Sequence, residues 1–330
     1  MNYQKKAAYT GHIDQLLRVK DYKLQGGRQD SVRVIEVDSG GGLELTVLPD
    51  RGLDFYQVRF KGKNANYIAP CGIVAPELSR GYLDSFFAGF LTTCGMDNIG
   101  NDCVDEGKNL PMHGSLSLTP AEEVNVEIKQ VDGVPEIRIC GQMVQAALFG
   151  SNLVLKRTIA CRYGESRFSF TDEITNNGQS AAPFMLLYHF NAGYPLLSEG
   201  AVLDIPSQRV TPLTEHAEKH KDKWQEVTPP TFPYTEMCYY HDIVRPSDGI
   251  AQVGITNPAA GMKLAICYNR DLLDNFVQWK QLGKGEYAMG LEPCNATIRG
   301  RATAREDGSL KFLQSGERKT YEFDIRFTSV

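Results

Sequence analysis

The sequence predicts an all-β protein, one large antiparallel β-sandwich, and three observations predict it. Apolar residues recur with a period of two in short runs along the whole chain; Gly, Asn, Asp and Pro turns separate the runs; and no βαβ rhythm or Pro/Gly/Ser-rich linker interrupts them. About fifteen strand-like runs are spread evenly over the 330 residues, so residues 1–330 are expected to form a single unit.

The clearest element is a hairpin. In "LVLKRTIACRY", Leu153, Leu155, Ile159 and Cys161 alternate with Lys156, Thr158 and Ala160, and after the turn "GES" the run "RFSFTDEIT" alternates through Phe168, Phe170 and Ile174. "VRVIEV", "LELTVLP", "DFYQVRF", "VNVEIKQV", "EIRICGQM", "KLAICYN", "YAMGLEP" and "TYEFDIRF" read as strands on the same grounds. Helices longer than two turns are expected only in "HIDQLLRVKDYKL" and "PELSRGYLDSFFAGF". Residues 213–233, charged and ending in proline, show neither period and read as a surface excursion. There is no internal repeat.

Apolar residues make up 42% of the chain and charged residues 23%, as in ordinary globular proteins, and a formal net charge of −5 exerts no pull toward nucleic acid or an anionic membrane. A small molecule or a protein is therefore the expected partner. The opening "MNYQKKAAYTGHIDQ" lacks the apolar core of a signal peptide, and no run reaches the ~18 apolar residues of a membrane span, so a cytoplasmic location is expected. The eight cysteines contain no C-x-x-C pair and fit reduced core thiols. Phosphate loops, dinucleotide fingerprints and H-E-x-x-H are absent, so any chemistry must come from dispersed residues.

Those residues fall in a few short segments. In "YHFNAGYPLL" a strand would place His189 on one face with Leu187, Met185 and Asn191, leaving Tyr188 and Phe190 on the other. A buried polar pair on that face needs either backbone partners or a ligand. His113, between proline and glycine in "LPMHGSLSLTPA", sits at a loop-to-strand corner of the kind that presents functional side chains. Glu292 in "YAMGLEPCN" is a carboxylate inside an apolar strand, with Gly290 leaving room beside it and Pro293 confining it to an edge, bulge or strand end. Arg51 and Asp54 in "LPDRGLDFYQV" read either as a turn with an internal ion pair or as ligand contacts. "TTCGMDN" reads as an irregular loop whose Asp97 and Asn98 either satisfy turn amides or face a ligand. Trp279 is either core or a stacking surface for a sugar.

In their order, "LPDRGLDF", "GFLTTCGMDN", "MHGSLSLTPA", "LYHFNAGYPLL" and "MGLEPCN" resemble the aldose 1-epimerase (galactose mutarotase-like) family, and more closely an uncharacterised branch of it. The resemblance spans most of the chain. It implies a β-supersandwich, a cleft for a monosaccharide or sugar derivative, and no metal or organic cofactor. Carried over by position, Glu292 matches the family's base on the anomeric hydroxyl and His113 a binding histidine in a His-Gly turn. The family acid is the histidine of His-x-Tyr-Phe-Asn; here Leu187 holds that position and His189 stands at the tyrosine's, two residues and about 7 Å further along the same face. The family's binding arginine has no match in "TTCGMDN", for which Arg51 is the candidate replacement, and its binding aspartate has a possible counterpart at Asp242 in "YYHDI".

The expected activity is mutarotation, with Glu292 and His189 as base and acid and with His113, Asn191, Arg51, Asp97, Asn98, Asp242 and Trp279 as candidate sugar contacts. Three other classes stay open at this stage: a non-catalytic carbohydrate-binding protein; a glycoside hydrolase using Glu292 with Asp97 or Asp242; and a metal-dependent sugar isomerase with His113, His189 and Glu292 as ligands.

Overall fold

The computed structural model describes residues 3–330. Two antiparallel sheets carry the fold. The larger has 11 strands and the smaller 8, and two further sheets have two strands each. The hairpin expected around the "GES" turn is present: Asn152–Arg162 pairs with Arg167–Asn176 in the register Leu155 to Ile174 and Ile159 to Phe170. Its alternate residues project into the space between the sheets, as an apolar period of two requires when one face is covered.

The main core fills that space. From the larger sheet it takes Leu45, Phe55, Leu91, Tyr188, Phe190 and Leu291, and from the smaller Ile139, Leu155, Phe168, Phe170, Leu264, Phe323 and Ile325, each at most 2% exposed. Phe170 stacks on Phe323 with ring centroids 4.7 Å apart, and Tyr188 meets the same Phe323 at 4.5 Å.

Into this apolar layer the fold inserts one ionic cluster. Arg157 lies between Leu155 and Ile159 on the inward face of its strand, opposite Asp172, and both side chains are fully buried. The guanidinium bonds Asp172 through Nε at 2.8 Å and Nη2 at 2.7 Å, and it reaches Asp54 of the larger sheet through Nη1 at 2.7 Å. Thr93 Oγ1 accepts from Arg157 Nη2 at 2.9 Å, the Thr93 amide donates to Asp54 at 2.7 Å, and the Tyr188 hydroxyl donates to Asp172 at 2.9 Å. Burial opposes the charge on Arg157, yet the adjacent Asp172 and Asp54 hold it protonated even more firmly than an ordinary arginine.

Two expectations from the sequence are corrected by these contacts. Asp54 pairs with Arg157 and not with Arg51. Arg51, 1% exposed, directs its guanidinium to the carbonyls of Ser117, Val74 and Ser85 at 2.7–2.9 Å, so each of its three nitrogens ties together segments of the chain and the buried group is not presented to a sugar.

Both expected helices also give way. In "HIDQLLRVKDYKL" only Ile13–Gln15 forms a single 3₁₀ turn, and Arg18–Lys23 is a strand paired with Arg33–Asp38. Pairing at the sheet edge outweighs helix propensity there. In "PELSRGYLDSFFAGF", Gly81 at a φ of 144° separates a 3₁₀ turn at Pro76–Leu78 from a four-residue helix at Tyr82–Ser85. Among the described residues no α-helix exceeds the six residues of Arg301–Glu306, and none is long and apolar enough to cross a membrane. Residues 213–233 form the expected excursion, carrying short turns at Glu215–Glu218 and Lys221–Lys223.

Because Arg157 satisfies two buried carboxylates, Arg157→Met should leave both uncompensated. The expected cost is about 3–5 kcal/mol in denaturant unfolding, against under about 1 kcal/mol for Arg326→Met on the exposed side of the same sheet.

Candidate functional site

The outer face of the larger sheet, turned away from the main core, carries the candidate site. Met185–Ala192 lies near the middle of that sheet, between Leu91–Met96 and Glu286–Cys294. Tyr188 and Phe190 enter the core, so Leu187, His189 and Asn191 point outward, as alternation predicts. The pairs Leu187 to Cys294 and Phe190 to Leu291 place His189 across from Glu292. His189 Nε2 and Glu292 Oε1 are 3.3 Å apart, with side chains 7% and 2% exposed.

Glu292 folds over Gly290. A Cβ at Gly290 would overlap Glu292 Oε1 and lie 2.9 Å from Trp279 Cβ, so the missing side chain makes the space the carboxyl occupies. Around the pair stands a ring of aromatic groups. Phe86 lies 5.2 Å from the His189 ring, Trp279 5.6 Å edge-on, and His113 5.9 Å edge-on. Tyr82 stacks on Phe86 at 4.9 Å and meets His113 at 4.7 Å.

His113 is held in the left-handed region, φ 57°, where a side chain is normally disfavoured. Its amide donates to Gly100 O at 2.8 Å and its carbonyl accepts from the Gly95 amide at 3.0 Å, fixing that conformation from both sides. The next residue must be glycine: a Cβ at Gly114 would come within 2.5 Å of Gly95 O and 2.7 Å of Asn98 O. Burial lowers the His113 imidazole to about 4. Its Nδ1 accepts the Gly100 amide at 3.4 Å, which leaves the proton on Nε2 as a donor.

Burial is also the leading influence on the central pair. It pushes Glu292 well above the usual carboxylate range, with the negative charge of Glu236 adding to the effect. It pushes His189 well below the usual imidazole range, with His113 adding to that and Asn191 opposing it. Both changes favour the uncharged forms of the two side chains.

The other sequence candidates divide. Trp279 forms a wall of the site, its indole N–H donating to Glu236 Oε2 at 2.7 Å. Asp97 lies beside Gly114 with Oδ1 buried and unpartnered, and burial raises its carboxyl. Asn191 anchors the strand, Nδ2 donating to Ala88 O and His189 O at 3.0 and 2.8 Å while Oδ1 has no partner. Asn98 is consumed structurally: its amide donates to the carbonyls of Asn101 and Pro111, and its oxygen accepts the Arg301 amide. Asp242, two strand positions beyond Tyr240, is tied to Arg270 at 3.1 Å and Gln208 at 2.9 Å, away from the pair. "TTCGMDN" is a strand through Met96 and an irregular loop only beyond it. His113, His189 and Glu292 do not assemble a metal site: among the described residues no group of three or more His, Cys, Asp or Glu is arranged to hold an ion.

Phe86, Tyr82 and Glu236 escaped the sequence reading. The first two lie in the segment read as a helix, where the repeated aromatic residues were the available signal. A groove of about 620 Å³ lies on the outer face of the smaller sheet, but charges along it pair with one another, Arg167 with Glu165 and Arg326 with Asp324, each at 2.6 Å.

Comparison with known proteins places this geometry in a family. Residues 29–327 match the family described as a domain of unknown function, DUF4432. The chain belongs to that family. It is an uncharacterised branch with the galactose mutarotase-like fold. A protein from Klebsiella pneumoniae subsp. pneumoniae MGH 78578, described as a candidate aldose 1-epimerase, superposes with a TM-score of 0.90 at 24% identity, covering 96% of this chain and 86% of the other. A galactose mutarotase-like protein from Clostridium acetobutylicum superposes at 0.66 with 13% identity over 96% and 100% of the two chains. Galactose 1-epimerase from Lactobacillus acidophilus NCFM gives 0.59 with 13% identity over 95% and 99%. At these identities the likeness is one of fold. No curated protein matches the sequence.

The space above Gly290 yields a direct test. Gly290→Ala should displace the Glu292 carboxyl from His189 without disturbing the core behind Met289 and Leu291. In the NMR spectrum the His189 ring resonances should shift while the unfolding midpoint changes little; unchanged His189 resonances would contradict the packing described.

Proposed function

We propose that the protein interconverts the anomers of an aldose by acid–base ring opening at the Glu292–His189 pair. The single observation that supports this most is the 3.3 Å contact between a buried carboxyl and a buried imidazole that is packed against the rings of Phe86 and Trp279. Opening a cyclic hemiacetal removes a proton from the anomeric hydroxyl and delivers one to the ring oxygen as the bond from that oxygen to the anomeric carbon breaks. The two oxygens share one carbon, so acceptor and donor must themselves be neighbours. A pair holding one proton supplies both.

Either tautomer of the pair can begin the reaction. With the proton on His189, Glu292 is the base and the imidazolium the acid, as the family resemblance implies. With the proton on Glu292, the roles exchange. After one transfer in each direction the pair has moved its proton and the sugar is an open aldehyde; rotation about the adjacent C–C bond and the reverse transfers give the other anomer. His113, with its Nε2–H as donor, and the face of Trp279 are the groups best placed to orient the ring.

Burial sets the pH dependence. Removing the proton leaves a net negative pair and adding a second leaves a net positive one, and a dry site disfavours both. The rate should therefore stay level across neutral pH, with its acid limb below the imidazole's ordinary 6.5. An unperturbed glutamate base and histidine acid would instead give a maximum between 4.5 and 6.5.

Saturation-exchange NMR on a panel of monosaccharides tests the reading, because it observes anomer interconversion directly. Glu292→Gln should lower the exchange rate roughly 100-fold or more while sugar binding persists, His189→Asn should act similarly, and the double variant should lose far less than the product. Binding without accelerated exchange by the wild-type protein on any sugar would assign the site to carbohydrate binding alone.

A further inference from the structure

The side-chain charge that acts on Glu292 from outside the pair is negative. Glu236, exposed just before the Met237–Ile243 strand, accepts the Trp279 indole proton on Oε2, and the same indole packs edge-on against His189. Among the described residues Glu236 forms no ion pair. Its charge acts on Glu292 and on the half-buried thiol of Cys238, in each case adding to the effect of burial. Arg51 is held by three carbonyls, Arg301 by Asp105 at 2.7 Å, and Arg270 by Asp242 at 3.1 Å.

We infer that Glu236 sets the charge of the substrate, and that the sugar taken is an aldose carrying a protonated amine, with phosphorylated and acidic sugars rejected. This rests on the site being a sugar site, as proposed above. The indole uses one carboxylate oxygen and fixes the group at the mouth, which leaves the other free to accept from an ammonium in a charge-assisted hydrogen bond. An anionic substituent in the same place would face the Glu236 carboxylate, so the arrangement selects by repulsion as well as attraction. The carboxylate is open to water, which keeps the attraction modest and sensitive to salt.

The test compares four ligands on one ring: a neutral hexose, its 2-amino-2-deoxy analogue, its uronate and its 6-phosphate, with dissociation constants from NMR titration and anomer exchange followed in parallel. For the wild-type protein the amine should bind about three- to fivefold more tightly than the neutral sugar at low salt, the uronate and phosphate more weakly than either, and the spread should shrink as salt rises. Glu236→Gln keeps the length and an oxygen for the indole but removes the charge, and should bring amine and neutral sugar to within about twofold. Indole fluorescence of the variant, read against Trp224, reports whether Trp279 has stayed in place.

Equal affinity for amine and neutral sugar, tightest binding of the phosphate, or undiminished discrimination by Glu236→Gln would each overturn the assignment. Preferential amine binding with no anomer exchange would uphold the role of Glu236 and overturn mutarotation instead. If none of the four binds, both readings fall.

Discussion

The Arg157 cluster is the constraint on which the rest of the site depends. It joins the two sheets through charged groups that have no water to fall back on: Asp172 beside it on the smaller sheet, Asp54 and Thr93 across the gap. Tyr188 donates into the same cluster from the inward face of its strand. Side chains of a strand alternate, so fixing Tyr188 inward fixes His189 outward, and a register slip of one residue would exchange them. The Asp54 bond to the Thr93 amide likewise fixes the neighbouring strand, whose Thr92 is paired with His189. The face that carries the candidate pair is set from behind.

The two buried ionisable groupings answer the same desolvation in opposite ways, and the difference lies in how many partners each has. Arg157 makes short bonds to two carboxylates and Thr93, while Asp172 also receives Tyr188; that network is worth keeping ionised despite burial. Glu292 and His189 have little besides each other, and Glu292 Oε1 and His189 Nδ1 make no good hydrogen bond. Burial therefore favours the uncharged form of each. Structural ions are saturated here, whereas the Glu292–His189 pair is left short of partners, and that shortage leaves it capacity to bond a ligand.

Much of this was legible in the sequence, and the omissions have physical causes. Period two showed the strands because most of them cover a core on one face, and it put His189 and Asn191 on the correct side. Glu292 stood out as a carboxylate in an apolar run. Arg157 was passed over in the hairpin, although it interrupts the inward series Leu155, Ile159 just where Asp172 interrupts Phe170, Ile174. A charge in that series is informative only once its cross-strand partner is known, and register is a property of the fold. Arg51 misled for the related reason that a guanidinium satisfied by three carbonyls leaves no mark in sequence. The segment holding Phe86 and Tyr82 has helical spacing but turns at Gly81, and its aromatic rings find their partners on distant strands.

The shifted histidine becomes intelligible in this register. The family pattern places its acid where this chain has Leu187, and Leu187 is paired with Cys294. A histidine there would stand one same-face step, about 7 Å, from the residue opposite Glu292. At 189 the imidazole meets the carboxyl across the strand boundary. Leu187 meanwhile joins Cys94, Val277 and Cys294 in a dry apolar cluster on the same outer face. The exchange of positions thus does two things at once: it brings imidazole and carboxyl into contact, and it lays an apolar floor beside them that disfavours either charged state of the pair. Position 189 is the place on this strand from which a histidine can share a proton with Glu292, so the departure from the pattern is consistent with acid–base chemistry and indicates a different way of holding the proton.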